Sequence, residues 1–117
     1  MLDLVLQRCL AAEVRATQPQ LQEQLRRRVL STDAAGYMAS CAAIAGVDWL
    51  DHLHSIACPT LVLAGELDAG APPSMAREIH ERVRGSQLAV LPNASHLSPL
   101  EQPTAFEATL RSFLSTL

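Results

Sequence analysis

The stretch that decides the fold is Cys58-Pro59-Thr60-Leu61-Val62-Leu63-Ala64-Gly65-Glu66-Leu67-Asp68. Residues 61–64 form an uninterrupted apolar run between a proline and a glycine, which predicts a short strand buried on both faces. Pro59 suits the start of a strand, where its missing N–H costs least. Asp68 follows the carboxyl end of the strand, the edge at which ligands bind in open α/β sheets. Taken alone, Asp68 fits a solvated loop residue better than a functional one.

A second unit repeats this pattern further along the chain. The apolar run 87–91 is followed by Pro92-Asn93-Ala94-Ser95-His96. Between the two runs the pattern predicts a helix that begins at a Ser74 cap and ends before Gly85. Its predicted buried stripe is Met75, Ile79 and Val83. Strand, helix, strand in this order predicts a parallel pair, so the acid and the imidazole should leave the same edge of one sheet.

The part of the chain before the first strand is predicted to be helical. Residues 1–55 show apolar spacings of three and four residues and carry no obvious chemistry. The predicted helices are one over 2–10, one beginning near Pro19, one capped by Thr32 or Asp33 and ending near Gly46, and a short one at 48–53. Residues 56–117 form the strand–helix–strand–helix part, whose last helix begins near Gln102-Pro103.

Composition narrows the class of protein. The 117 residues allow one domain at most, and 49% hydrophobic with 18% charged residues indicates a globular chain. A net charge of −3 argues against a nucleic-acid partner. No apolar run approaches the ~20 residues that cross a bilayer, so no membrane partner is expected. Cys9, Cys41 and Cys58 are odd in number and widely spaced, which is typical of reduced thiols in a cytoplasmic protein.

Three segments together resemble the carboxyl-terminal end of an α/β-hydrolase. They are Pro59 to Asp68, Leu91-Pro92-Asn93-Ala94-Ser95-His96-Leu97, and Glu101-Gln102-Pro103 before a helix rich in Phe and Leu. Upstream, Asp33-Ala34-Ala35-Gly36-Tyr37 and Ser40-Cys41-Ala42-Ala43-Ile44 are similar to the cap region of 3-oxoadipate enol-lactonases. The resemblance implies an α/β fold that is a partial α/β-hydrolase. It would contain late cap helices over 1–55, then the last two parallel strands with their helices, without the nucleophile-bearing half.

The same resemblance implies catalytic roles for two residues. Asp68 corresponds to the acid of a catalytic triad and His96 to its base. In such a triad the histidine takes a proton from a serine, and the carboxylate orients the imidazole and stabilises the imidazolium. If the two strands are neighbours, the carboxylate and imidazole should approach about 2.6–3.2 Å, or somewhat more in the absence of a serine. The implied reaction is hydrolysis of a small-molecule ester or lactone, as in aromatic-compound degradation, with no metal or organic cofactor.

The chain departs from the family at the nucleophile. Hydrolases of this fold carry the serine in Gly-x-Ser-x-Gly on a strand-to-helix turn, and no serine of this chain has that pair of glycines. Gly85-Ser86 has one glycine and lies in a helix-to-strand connection. We therefore expect a fragment of a longer hydrolase that is inactive alone. The alternative is a non-catalytic binding or scaffold domain derived from a hydrolase.

Other candidate residues carry weaker signals. Tyr37 and Trp49 are candidates for substrate binding, although a single Tyr and a single Trp can also be core residues. Glu66 could substitute for Asp68, since side chains two residues apart on a strand share a face.

The remaining histidines offer no strong site. His52, His54 and Cys58 could be considered as metal ligands, but histidines two apart on a helix do not face one another, so no metal is expected. His80 is predicted to be solvated.

The predicted sheet is too small to be stable alone, which points to association with another chain. Two apolar parallel strands have two open edges, and sheets of this size are seldom stable independently. The strands at 61–64 and 88–91 thus predict neighbours that this chain does not supply. We expect a homo-oligomer, most simply a two-fold dimer, or a complementing chain.

Overall fold

The structure is a computed structural model that describes residues 2–117. Seven α-helices, one 3-10 helix and two strands are present in this range. In chain order they are α1 (Leu2–Cys9), α2 (Ala12–Thr17), α3 (Pro19–Ser31), α4 (Ala34–Ala45), a 3-10 helix (Leu50–Ser55), β1 (Leu61–Gly65), α5 (Pro73–Arg82), β2 (Gln87–Leu91), α6 (Ser98–Glu101) and α7 (Pro103–Leu114).

The two strands form one parallel sheet, as the sequence predicts. Leu61 pairs with Gln87, and the register continues to Gly65 opposite Leu91. Helix α5 connects the strands and contacts both of them. Because the strands are parallel and end in register, the loops after Gly65 and Leu91 begin side by side. This confirms the α/β class and brings the loops of Asp68 and His96 to one edge.

Local chemistry explains several helix ends. Asp33 caps α4, where its Oδ2 accepts a hydrogen bond from the Gly36 N–H at 2.7 Å. Gly85 has a φ of 76°, the left-handed conformation that the sequence predicts for the end of α5. Helix α3 begins at Pro19, which suits a first helical turn.

Two predictions about helix α5 are wrong in detail. Helix α5 begins at Pro73 after Pro72, without a side-chain cap, so Ser74 lies inside the first turn. The predicted stripe of α5 is only partly buried, since Val83 is buried whereas Met75 and Ile79 remain exposed. Helix α1 matches the helix predicted over 2–10, and α2 is an additional short helix before Pro19 that the sequence did not predict.

One compact cluster of buried apolar side chains lies away from the sheet. Leu10, Ala11 and Val14 form a buried cluster against which Leu21, Leu25 and Leu97 pack. In contrast, the strands are mostly half-buried, and in β1 only Ala64 and Gly65 are fully covered. The prediction of strands buried on both faces therefore fails within residues 2–117, because one pair of strands and its helices cannot cover two sheet faces. Helix α4 is exposed along its length.

Within residues 2–117, no helix combines the length and apolarity needed to cross a membrane.

Candidate active site

Asp68 and His96 meet at the carboxyl edge of the sheet. Asp68 stands three residues after the end of β1, and His96 stands five residues after the end of β2. His96 Nδ1 and Asp68 Oδ2 are 2.8 Å apart. The predicted hydrogen-bonding distance between the two side chains is thereby confirmed.

The Asp68 carboxylate is buried and held by its own loop. Its Oδ1 accepts hydrogen bonds from the Gly70 N–H at 2.8 Å and the Ala71 N–H at 2.9 Å, which leaves Oδ2 for His96. Burial acts to raise the pKa of Asp68. The hydrogen bonds from Ala71, His96 and Gly70 and the charge of His96 outweigh burial, so the pKa lies below its ordinary value of 3.8.

An ionised Asp68 determines the tautomer of His96. A carboxylate can only accept, so the shared proton is carried on His96 Nδ1. In the neutral imidazole, Nε2 is then the proton acceptor. The His96 side chain is half exposed, and Nε2 has no hydrogen-bond partner among residues 2–117. The pair thus presents a basic nitrogen that is oriented and open to a reacting group.

Acid pH is expected to weaken the fold through Asp68. Because its pKa is lower in the folded state than in the unfolded chain, Asp68 contributes stability above pH 3.8 that is lost as the pH falls through its folded pKa. We expect the difference in unfolding free energy between the native chain and Asp68→Asn to be largest near neutral pH and to shrink in that acid window. Urea denaturation over a series of pH values measures it, and a difference independent of pH would contradict the assignment.

The loop that carries His96 is fixed against the end of β1. Ala94 O accepts a hydrogen bond from the Leu67 N–H at 2.8 Å, and Ala94 and Ser95 are both buried. Asn93 has a φ of 56°, a conformation that asparagine tolerates better than most residues. Glu66 Oε2 accepts from the Asn93 N–H at 3.1 Å. Glu66 therefore braces the loop and does not pair with His96, so Glu66 is not a substitute for Asp68.

A cavity of about 450 Å³ opens beside the imidazole. Its lining residues are Val5, Arg8, Cys9, Tyr37, Ile44, Gly70 and His96. Tyr37 therefore shares a cavity with His96, whereas Trp49 lines a different one together with Met75 and Ile79. The structure brings one of the two aromatic candidates to the site.

Arg8 and Cys9 were missed by the sequence analysis. Both lie at the end of α1, where the sequence shows only an amphipathic helix with no motif to single them out. Burial, reinforced by the negative charge of Asp68, raises the pKa of the Cys9 thiol. Cys9 is therefore protonated at neutral pH and is a poor nucleophile.

The remaining histidine candidates have local roles or none. Among residues 2–117, no group of three or more His, Cys, Asp or Glu side chains could hold a metal ion, and His52, His54 and Cys58 do not form one. His80 is half-buried, and its Nδ1 lies 2.8 Å from Ser86 Oγ. The prediction that His80 is solvated is therefore wrong.

Comparison with known proteins identifies the class. A family model described as "TAP-like protein", one of the α/β-hydrolase families, matches residues 27–117. The chain belongs to the α/β-hydrolase family. The match covers most of the chain, including both strands and the Asp68–His96 pair.

Particular relatives point to enol-lactonases and esterases. The chain is 35% identical over 99 residues to 3-oxoadipate enol-lactonase 2 of Acinetobacter baylyi, covering 81% of this chain and 37% of the relative. It is similar to the crystal structure of the enol-lactonase from Burkholderia xenovorans LB400, with 32% identity, a TM-score of 0.94, and coverage of 97% of this chain and 44% of that one. A thermophilic esterase from Thermogutta terrifontis gives 31% identity, a TM-score of 0.92, and coverage of 98% and 43%. The chain thus spans less than half the length of these relatives.

Proposed function

We propose that residues 2–117 supply the acid–base part of a serine-dependent ester or lactone hydrolase. The observation that carries the proposal is the 2.8 Å contact between His96 Nδ1 and the buried Asp68 carboxylate, with Nε2 left open beside a cavity. The similarity to enol-lactonases supports a lactone as the substrate. Arg8, in the cavity wall, offers a guanidinium to a carboxylate on that substrate.

The geometry supports a defined sequence of proton transfers. His96 Nε2 takes the proton of a serine hydroxyl while the serine oxygen attacks the substrate carbonyl. The imidazolium then gives this proton to the leaving oxygen, and the ester C–O bond breaks to form an acyl-enzyme. In the second half, His96 takes a proton from water, whose oxygen attacks the acyl carbon, and returns it to the serine. Asp68 keeps its charge throughout and stabilises the imidazolium.

The nucleophile and the oxyanion hole come from outside this sequence. No serine of the 117 residues lies in Gly-x-Ser-x-Gly. Ser95 and Ser98, which are near His96 in the chain, are buried. We infer that the serine is provided by another segment of an α/β-hydrolase, joined to this one or associated with it.

A chimaera tests this function directly. In this chimaera, residues 2–117 replace the matching part of the Burkholderia xenovorans enol-lactonase. The rest of the enol-lactonase is kept. The chain alone should neither hydrolyse p-nitrophenyl esters nor react with a fluorophosphonate probe, because loss of the nucleophile removes most of the rate of a triad. The chimaera should do both. A folded chimaera that reacts with neither would contradict the proposal and favour a non-catalytic binding or scaffold domain.

We also propose that the isolated chain associates with a second copy. The half-buried strands and the exposed apolar side chains of α4, among them Met38 and Ile44, are a liability in water. A two-fold dimer that covers them should bury more than about 1,000 Å² in total. Sedimentation at micromolar concentration should show the dimer for the chain and lose it for the chimaera, whose added segment would cover the same surfaces. A monomeric isolated chain would contradict the proposal.

A further inference from the structure

Glu101 is a buried carboxylate whose partners are two backbone amides. It ends helix α6 and is 4% exposed. Oε1 accepts a hydrogen bond from the Ala11 N–H at 2.5 Å, and Oε2 accepts one from the Ser95 N–H at 2.6 Å. No basic side chain forms an ion pair with it within residues 2–117. Burying a carboxylate is costly, and here two short charge-assisted hydrogen bonds offset that cost.

The two amides belong to different parts of the site. Ser95 immediately precedes His96, whereas Ala11 joins α1 to α2. A second bond reinforces the link on the other side of the imidazole, where the Leu97 N–H donates to Cys9 O at 3.2 Å. The backbone on both sides of His96 is therefore tied to the α1–α2 junction.

This link also connects His96 to the cavity wall. Arg8 and Cys9 at the end of α1 line the cavity that His96 faces. Ser95 Oγ donates a further hydrogen bond to Arg8 O at 3.4 Å. A shift of α1 relative to the His96 loop would change the distance from Nε2 to any substrate held in the cavity. A displacement of about 1 Å at such a site can cost on the order of 100-fold in rate.

We propose that Glu101 is a positioning residue, which holds the His96 loop and the α1–α2 junction in one arrangement and thereby keeps the imidazole on Asp68. Glu101 touches neither Asp68 nor His96 by a side-chain hydrogen bond, so it acts through the backbone of Ser95. The expected effect of Glu101 on the reaction rate rests on the proposed function. Its expected effect on the hydrogen bond between His96 and Asp68 is independent of that function, because the bond is a property of the folded chain.

NMR spectroscopy of the 117-residue chain tests the proposal without any substrate. Glu101→Gln retains one acceptor oxygen, Glu101→Ala retains none, and Glu107→Gln on the exposed face of α7 is the matched control. Loss of a hydrogen bond to a charged acceptor should speed hydrogen exchange at the Ser95 amide by about tenfold or more. The downfield signal of the His96 Nδ1 proton should broaden or disappear, more strongly in Glu101→Ala than in Glu101→Gln. It should be unchanged in the Glu107→Gln control.

The NMR signal of the His96 Nδ1 proton distinguishes a role of Glu101 in positioning the imidazole from a role only in the stability of the fold. A Glu101→Gln chain that keeps its far-UV circular dichroism but changes the His96 signal supports the proposal. Unchanged exchange at Ser95 and an unchanged His96 signal in both variants would overturn it. So would an unfolded Glu101→Gln chain beside a folded Glu107→Gln control, since that result assigns Glu101 to stability only.

Kinetics of the chimaera then add the catalytic readout. If Glu101 positions the imidazole, Glu101→Gln should lower kcat by about tenfold or more and leave KM nearly unchanged. An inactive parent chimaera would count against the proposed function, whereas the NMR result would still decide the role of Glu101. An active parent with equal kcat in Glu101→Gln would overturn the positioning role.

Discussion

His96→Ala in the chimaera is expected to lower kcat/KM for an activated ester by roughly 10⁴-fold or more, since the base of a serine triad has an effect of this size. The physical reason is that Nε2, oriented by Asp68 at 2.8 Å from Nδ1, is the open basic nitrogen at the site. Without it the serine keeps its proton at neutral pH. Steady-state rates with p-nitrophenyl esters measure the effect.

Two further variants make this measurement specific. His54→Ala removes an exposed histidine on the 3-10 helix and should leave kcat/KM unchanged. Asp68→Asn keeps the shape of the acid and removes its charge, so the imidazole loses its orientation, with an expected loss on the order of 10⁴-fold. Full activity in His96→Ala would refute the assignment of the base. Equal losses in His54→Ala and His96→Ala would indicate a general effect on folding.

The sheet and the acid–base pair could be predicted because their signals are local. Each strand is a short apolar run with a sharp end, and parallel strands bring the loops at their carboxyl ends to one edge of the sheet. The positions of Asp68 and His96 result from these two facts. The same reasoning narrowed the cap of α4 to Thr32 or Asp33 and predicted the left-handed Gly85, because one residue type satisfies one backbone requirement.

The features that the sequence did not predict depend on contacts between distant residues. Glu101 meets Ala11 across ninety positions of the chain, and no periodicity encodes such a pair. Tyr37 lines the His96 cavity together with Arg8 and Cys9 of α1, which are distant from it in the sequence. Burial likewise depends on packing between elements that are distant in the sequence, and within residues 2–117 that packing leaves the apolar strands only half-buried.

Gly65→Ala is the substitution outside the catalytic pair from which we expect the largest effect. Gly65 is the last residue of β1, and the backbone of Ala94 and Ser95 in the His96 loop lies directly against it. A Cβ placed there would overlap Ser95 O and lie 2.6 Å from Ala94 O. Both atoms belong to the backbone of a loop that is already bonded to Leu67 and Glu101, so neither can move cheaply. We expect a loss of about 1–3 kcal/mol or more in the free energy of unfolding.

Gly46→Ala provides the matched control for that loss. A Cβ at Gly46 would meet Ala43 O at an ordinary 3.6 Å, and the φ of −91° suits any residue. Urea denaturation should therefore show a small change for Gly46→Ala and a large one for Gly65→Ala. Because the overlap pushes the loop away from β1, Gly65→Ala should also weaken the Nδ1 proton signal of His96. A Gly65→Ala chain with native stability and a native His96 signal would mean that the loop can yield, and that contact with β1 does not fix the imidazole.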